Sequence, residues 1–289
     1  MRPRVISRYT ALALLFSFIW SSAFIAVKIS LQSSPPLFLM ASRFLVAGAV
    51  LLVFAGMRGH RMPPGARDWW PLALLGLLNF GLYLGLTAVA LQYLSAGMGA
   101  VLASTNPLML AMLAPWVLGE RVGVMKIAGI VTSFAGVVWM MRSRLGADNQ
   151  PGAMVLVVVS IMCLVAGTLL FKRMRLDYDL LVLNGTQLLA AGLFLIVPSL
   201  FVEPLGDVRL SASFLVSQAY LVVVVSWIGM AIWFWLLRAG DATRASAWFF
   251  LNPVLGLLLG ALLLGEPLRP QDFAGAAAVA AGIYLVQRA

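Results

Sequence analysis

The residues of this 289-residue chain that could do acid–base, nucleophilic or metal chemistry are few. Its ten carboxylates are Asp68, Glu120, Asp148, Asp177, Asp179, Glu203, Asp207, Asp241, Glu266 and Asp272. Every one lies between long apolar runs or at their ends, and none lies mid-run. The single histidine, His60, sits in a basic stretch, and the single cysteine, Cys163, has no partner for an intrachain disulfide. No cluster of metal ligands exists, no Ser–His pair can form beyond His60, and no Gly-rich phosphate loop with its lysine occurs. The sequence therefore gives little support to a membrane enzyme and implies no cofactor and no metal. What remains are polar groups set inside apolar runs: Asn106-Pro107, Asn252-Pro253, Ser21, Asn79, Ser246 and the cation Arg43.

Those runs are the elements that must hold the polar groups. The chain is 62% apolar and 10% charged, against about 45–50% and ~25% in a soluble domain. Ten spans of ~20 residues need about 200 residues, which matches a polytopic membrane protein. Polar punctuation divides the chain into helices at 9–30, 36–57, 69–93, 96–118, 122–141, 152–172, 179–200, 211–237, 242–264 and 270–287. Arg2, Arg4 and Arg8 precede the first run as in a signal peptide. That run is too long for a signal and nine more follow, so it reads as a mature helix.

A net charge of +10 in a soluble protein would suggest nucleic acid; here it orients the spans. With the N-terminus inside, the inner segments hold fourteen basic residues. They are Arg2, Arg4, Arg8, Arg58, Arg61, Arg67, Arg121, Lys126, Lys172, Arg173, Arg175, Arg238, Arg244 and Arg288. The outer segments hold five: Lys28, Arg142, Arg144, Arg209 and Arg269. This bias predicts cytoplasmic termini. The loops are too short for a folded domain, so function resides within the bilayer.

The chain repeats itself. Asn106-Pro107 recurs as Asn252-Pro253, Gly119-Glu120 as Gly265-Glu266, Gly129 as Gly275 and Gly136 as Gly282, all at an offset of 146. Earlier spans match at 144: Lys28 with Lys172, Ala47-Gly48 with Ala191-Gly192, and Arg43 facing Gln187. The chain thus reads as two five-helix units, 1–147 and 148–289. Five is odd, so the second unit enters the membrane inverted, a recurrent plan of secondary transporters. Channels and membrane enzymes can carry the same plan.

The fold class expected is therefore all-α integral membrane, ten transmembrane helices as two inverted five-helix repeats. Five plus five helices, with a proline in the fourth of each half and Gly-Glu at its end, resemble the drug/metabolite transporter superfamily. The likeness is to its ten-helix EamA-type exporters and covers essentially the whole chain; within them it is to bacterial exporters of aromatic and other amino acids. The resemblance implies an inner-membrane carrier with a central cavity lined mainly by helices 1, 3, 4, 6, 8 and 9.

Within that frame the candidate substrate-binding residues are Trp20, Ser21, Asn79, Tyr83, Asn106, Trp227, Ser246, Trp248 and Asn252, with Pro107 and Pro253 as hinges. Thirteen residues separate Asn106 from Gly119, about 20 Å of helix. In a core of ~30 Å, Asn106 and Asn252 straddle the midplane. A proline inside a helix frees the carbonyl four residues back; each Asn-Pro alternatively acts as hinge and packing bond. Ser17, Ser21, Phe24 and Lys28 share one face of helix 1, and Asn79, Tyr83 and Thr87 one face of helix 3. Helix 8 adds Trp227, Met230, Trp233 and Phe234, and helix 9 adds Ser246, Trp248, Phe249 and Asn252. Aromatics mixed with Ser, Asn and Thr suggest a cavity for flat, apolar ligands.

Arg43 could bind a substrate carboxylate, satisfy helix-end carbonyls or snorkel; since helix 2 is peripheral in the resembled fold, the structural role is expected. Gly119-Glu120 and Gly265-Glu266 read as scaffold: the glycine permits a turn and the glutamate accepts from the free N–H groups of the next span. Gly81 with Gly85, and Gly256 with Gly260, permit close helix packing.

The expected function is export of small amphipathic metabolites, foremost aromatic or apolar amino acids, by a monomer with no nucleic-acid partner. The alternatives are a carrier of drugs, flat organic cations or other metabolites of the same superfamily, and a passive channel. With no carboxylate mid-membrane, a conventional proton relay is not supported, though backbone carbonyls can still hold sodium.

Overall fold

The computed structural model describes residues 8–94, 96–142, 149–264 and 267–289. Its helices follow the expected runs. The first is α1 (Arg8–Ser30), then α2 (Pro36–Met57). Next, α3 comprises Ala66–Gly76, a π segment Leu77–Leu82, and Tyr83–Ala90. Then α4 comprises Ala96–Ala103 and Asn106–Leu118, and α5 is Val124–Met141. The second half starts with α6 (Pro151–Met174) and α7 (Leu180–Val202). Next, α8 comprises Ala212–Tyr220, a π segment Leu221–Gly229, and Met230–Ala239. Then α9 comprises Ala242–Ser246, a 3-10 turn Ala247–Phe250, and Leu251–Leu264, and α10 is Pro270–Arg288. Nine of these, α1 to α9, are long and apolar enough to cross a membrane. The tenth, α10, is rich in Ala and Gly and less apolar; its 19 residues still span about 28 Å.

Start signals are local. Pro36, Pro151 and Pro270 stand at first-turn positions, where a missing N–H costs no helical bond. Asp179 caps α7 by accepting from Leu181 N at 2.8 Å, and Ser211 caps α8 through Phe214 N at 3.2 Å. Gly119 ends α4 with φ +68°, a left-handed turn that glycine adopts at no steric cost. Gly265-Glu266 lies outside the described residues.

The two halves pack on each other by one rule applied twice. Helix α2 lies along α7, and α5 along α10, each helix against its own repeat partner. Gly129 and Gly136 are the reason α5 and α10 can touch. A Cβ on Gly129 would stand 2.6 Å from Gly282 O, and one on Gly136 2.8 Å from Gly275 O. The glycines matched in sequence are thus the glycines that meet, in crossed order: 129 with 282, 136 with 275. Crossed order means antiparallel helices. Repeat partners that run antiparallel belong to inverted halves, so the inverted repeat is a property of the packing. On the other seam, Gly48 and Gly192, also repeat partners, abut Leu189 and Leu45 backbone respectively. The pair Gly81 and Gly85 meets Phe194 and Leu195 of α7, so this GxxxG serves packing within the chain.

Both termini share one face. The Arg8 guanidinium lies 5.4 Å from the Trp235 ring near the end of α8. Arg244, at the start of α9, covers Tyr9 at 5.0 Å and donates to Gln287 of α10 at 2.8 Å. This is called the terminal face below.

Two features were not in the sequence reading. Both α3 and α8 pass through a π segment, and the segments start at repeat-equivalent positions, Leu77 and Leu221. Also, α4 breaks at Ser104–Thr105, before Asn106-Pro107 and not at it. Pro107 and Pro253 therefore lie near the start of helical segments, where proline costs little.

Candidate functional site

Where α1, α8 and α9 converge, four aromatic rings form one cluster. Phe16 stacks on Trp20 at 5.5 Å and on Trp233 at 5.2 Å. Phe249 meets Phe16, Trp20 and Trp233 edge-on at 5.6, 6.1 and 5.1 Å. All four are buried. Trp20 lies twelve residues into α1, about 18 Å from its start, near mid-depth of a ~30 Å core. Tyr83 of α3 is buried in the same core as Trp20, so the cluster reaches across the bundle.

Polar groups border these rings. Ser17 donates to Trp248 O at 3.2 Å. Ser21 donates to Ser17 O at 2.7 Å and stands 3.4 Å from both the carbonyl and the side-chain oxygen of Asn252. Two carbonyls flanking the motif, those of Trp248 and Asn252, are thus met by hydroxyls of α1. Trp248 is buried and its Nε1 has no partner among the described residues. Asn106, the repeat partner of Asn252, is fully buried, and neither atom of its amide has a partner there. Leaving such a group unbonded costs about 1–3 kcal/mol.

Of the nine candidate residues, the structure brings Trp20, Ser21, Tyr83, Trp248 and Asn252 into one connected region. Four lie elsewhere or are otherwise engaged. Asn79 Nδ2 donates to Gln187 of α7 at 3.0 Å, because the π segment turns it off the face it was expected to share with Tyr83. Trp227 Nε1 donates to Ala47 O of α2 at 3.1 Å. Ser246 donates within its own turn, to Thr243 O at 3.0 Å. Asn106 stands on α4, which packs on α6. On α1 itself, Phe24 and Lys28, farther along the stripe of Ser17 and Ser21, are exposed. Trp233 and Phe249 of the helix 8 and helix 9 stripes join the ring cluster, together with Phe16, which the sequence did not single out. The i, i+4 spacing of Phe16 and Trp20 was the available signal.

On the terminal face a cross-half latch joins the two units. Glu120, at the end of α4, accepts from Ala242 N at 2.6 Å and Thr243 N at 3.2 Å, and from Thr243 Oγ1 at 3.0 Å. It caps α9 and not the next span α5 as expected: the reason is that α4 ends beside α9's free N–H groups, whose partial positive charge attracts a carboxylate. Lys172 Nζ pairs with Glu120 at 3.3 Å and donates to Gly240 O at 2.5 Å. Lys126 pairs with Asp241 at 2.9 Å. Each pair joins one half to the other.

Arg43 is buried on α2 and donates from Nε to Ser226 Oγ at 2.9 Å. Among the described residues Ser226, in the π segment of α8, is its one hydrogen-bond partner, in place of the helix-end carbonyl expected.

A model of the EamA-like transporter family matches residues 8–142 and again 151–288, one match per half. The chain belongs to the EamA-like transporter family. It is 29% identical to the uncharacterized transporter YvbV of Bacillus subtilis, over 96% of this chain and 91% of that one. It is 28% identical to the uncharacterized inner membrane transporter YedA of Escherichia coli K12, over 93% and 87%, and 27% identical to Protein PecM of Dickeya dadantii, over 93% and 89%. A solved structure described only as the crystal structure of a protein superposes with a TM-score of 0.84 at 19% identity, covering 98% of both chains, which shows a shared fold. The chain is a multi-pass membrane transporter.

Proposed function

We propose that the transporter exports small amphipathic metabolites, foremost amino acids with aromatic or apolar side chains, across a bacterial inner membrane by alternating access. The observation that carries the reading is the buried ring cluster of Phe16, Trp20, Trp233 and Phe249 beside Ser21 and Asn252. Aromatic side chains prefer offset or edge-on aromatic partners, which the flat group of such a substrate supplies. Their faces also attract an ammonium, at ~0.5–2 kcal/mol per ring. A millimolar affinity, about −4 kcal/mol, suits a carrier that must also release. The charge bias of the segments supports cytoplasmic termini, and with them a closed cytoplasmic side in this state. The latch joining the halves favours a carrier over an open channel.

Radiolabelled tryptophan or phenylalanine in proteoliposomes tests the proposal. The reading expects saturable uptake that unlabelled substrate on the far side accelerates. Uptake of neither amino acid, with glutamate or a nucleotide sugar transported instead, would refute the substrate. Flux without acceleration would refute the carrier. Cysteines at positions 2 and 288 should resist an impermeant thiol reagent in intact cells; labelling from outside would reverse the orientation.

A further inference from the structure

Arg43 is a cation in the membrane with almost nothing to neutralise it. It is 3% exposed. Of its five N–H donors, one is used, from Nε to the Ser226 hydroxyl. The Phe44 ring lies 5.2 Å from the guanidinium carbon. Among the described residues no carboxylate pairs with it, and Nη1 and Nη2 donate to none of them. Those two nitrogens are therefore left without a partner among the described residues. A second orphan shares the spot. Asn184 of α7 donates to the Ser226 carbonyl at 2.6 Å, and its Oδ1 is buried with no partner.

The other half supplies a built-in control. The repeat partner of Arg43 is Gln187, and the repeat partner of the α8 π segment is that of α3. There Gln187 accepts from Asn79 at 3.0 Å, one neutral amide bonded to another. The same position in the first half carries a full positive charge against a hydroxyl, which cannot neutralise it. A buried cation without a counter-charge is costly and is kept where an anion completes it. Arg43 lies seven residues from the start of α2, about 10 Å below the face opposite the termini.

We propose that Arg43 is the carboxylate anchor of the transport site, binding the anionic group of the substrate through Nη1 and Nη2, with Ser226 and Asn184 fixing its position. A guanidinium presents two parallel N–H donors that match a carboxylate. The proposal rests on the function proposed above only in making that carboxylate part of an amino acid; the anion site stands on the geometry alone.

The test uses the purified full-length transporter in lipid nanodiscs, with thermal stabilisation and tryptophan fluorescence as readouts. The probes are acetate, 3-phenylpropionate against 3-phenylpropionamide, and phenylalanine against phenylalaninamide. Carboxylates should bind at least about tenfold more tightly than their amides to the native protein. Arg43→Gln should erase that difference, and Arg43→Lys should keep part of it. If Arg43→Gln does not fold, the carboxylate–amide comparison on the native protein still decides. Equal response to acid and amide, no response to any carboxylate, or full discrimination in Arg43→Gln overturns the anchor. An Arg43-dependent response to 3-phenylpropionate, with no binding or transport of phenylalanine, would retain the anchor and refute the amino-acid reading.

Discussion

The two Asn-Pro segments have the same motif and opposite circumstances. In α9, Asn252 approaches Ser21 of α1, the preceding turn tightens to 3-10, and Trp248 and Phe249 pack into the ring cluster. In α4, the helix breaks at Ser104–Thr105 and the Asn106 amide is buried without a partner. The ends differ as well. Glu120, after α4, holds α9 and Lys172 on the terminal face. On the other face Lys28, the partner of Lys172, is exposed. An inverted repeat caught in one state displays one structural unit in both of its conformations. Helix α4 packs on α6 as α9 packs on α1, but Asn252 meets a hydroxyl of its facing helix and Asn106 has no such partner among the described residues. Exchange of the two arrangements would satisfy Asn106 and release Asn252, which is the physical content of alternating access.

The largest effect should come from the latch. Glu120→Ala removes two backbone caps and the partner of Lys172. Charge-assisted bonds to a buried carboxylate contribute ~1.5–3 kcal/mol each, and with some replaced by water the closed state should lose about 3 kcal/mol, roughly a hundredfold in population. A cysteine at Ala247, buried in this state, should then become reactive to thiol reagents from the terminal face. Unchanged reactivity would mean that the latch does not set the state.

The asparagines should respond with opposite signs. Asn252→Ala loosens the α1–α9 contact and should lower thermal stability by ~1 kcal/mol. Asn106→Ala removes an unsatisfied amide and should raise stability by about 1 kcal/mol, while slowing transport because the exchanged state loses its bond. Destabilisation by both, in a melting series, would break the comparison.

Smaller effects on folding are expected from Pro107→Ala and Pro253→Ala, each under ~1 kcal/mol, since both prolines stand in first turns. Transport should fall while insertion persists; normal flux in both single variants and the double variant would remove the hinges. The smallest change is Lys126→Gln. Asp241 is 49% exposed, so this pair contributes ~0–1 kcal/mol, read as a slight rise in Ala247→Cys labelling.

Much of this plan was legible because bilayer thickness fixes helix length. The run 36–57 coincides with α2, and other ends shift by a few residues at most. The glycines were legible as a repeat because close packing tolerates no side chain at those positions. The π segments were not, because Leu77–Leu82 and Leu221–Gly229 are near-uniform apolar runs, and the register of backbone bonds leaves no mark on such composition. That register also turned Asn79 toward Gln187. Glu120's true partner was hidden for another reason: α9 is remote in sequence and adjacent only once the halves dock. Phe16 escaped notice because an isolated phenylalanine in an apolar helix looks like any lipid-facing residue.

The central claim is that transport requires the halves to part at the terminal face. Lys126 and Asp241 touch across that seam, and Cys163 is the one native thiol. In a Cys163→Ser background, Lys126→Cys with Asp241→Cys should be joined by a short bifunctional thiol linker in proteoliposomes. Tryptophan flux should stop on linking and return on cleaving a reducible linker. Wild-type flux through fully linked protein would contradict the account.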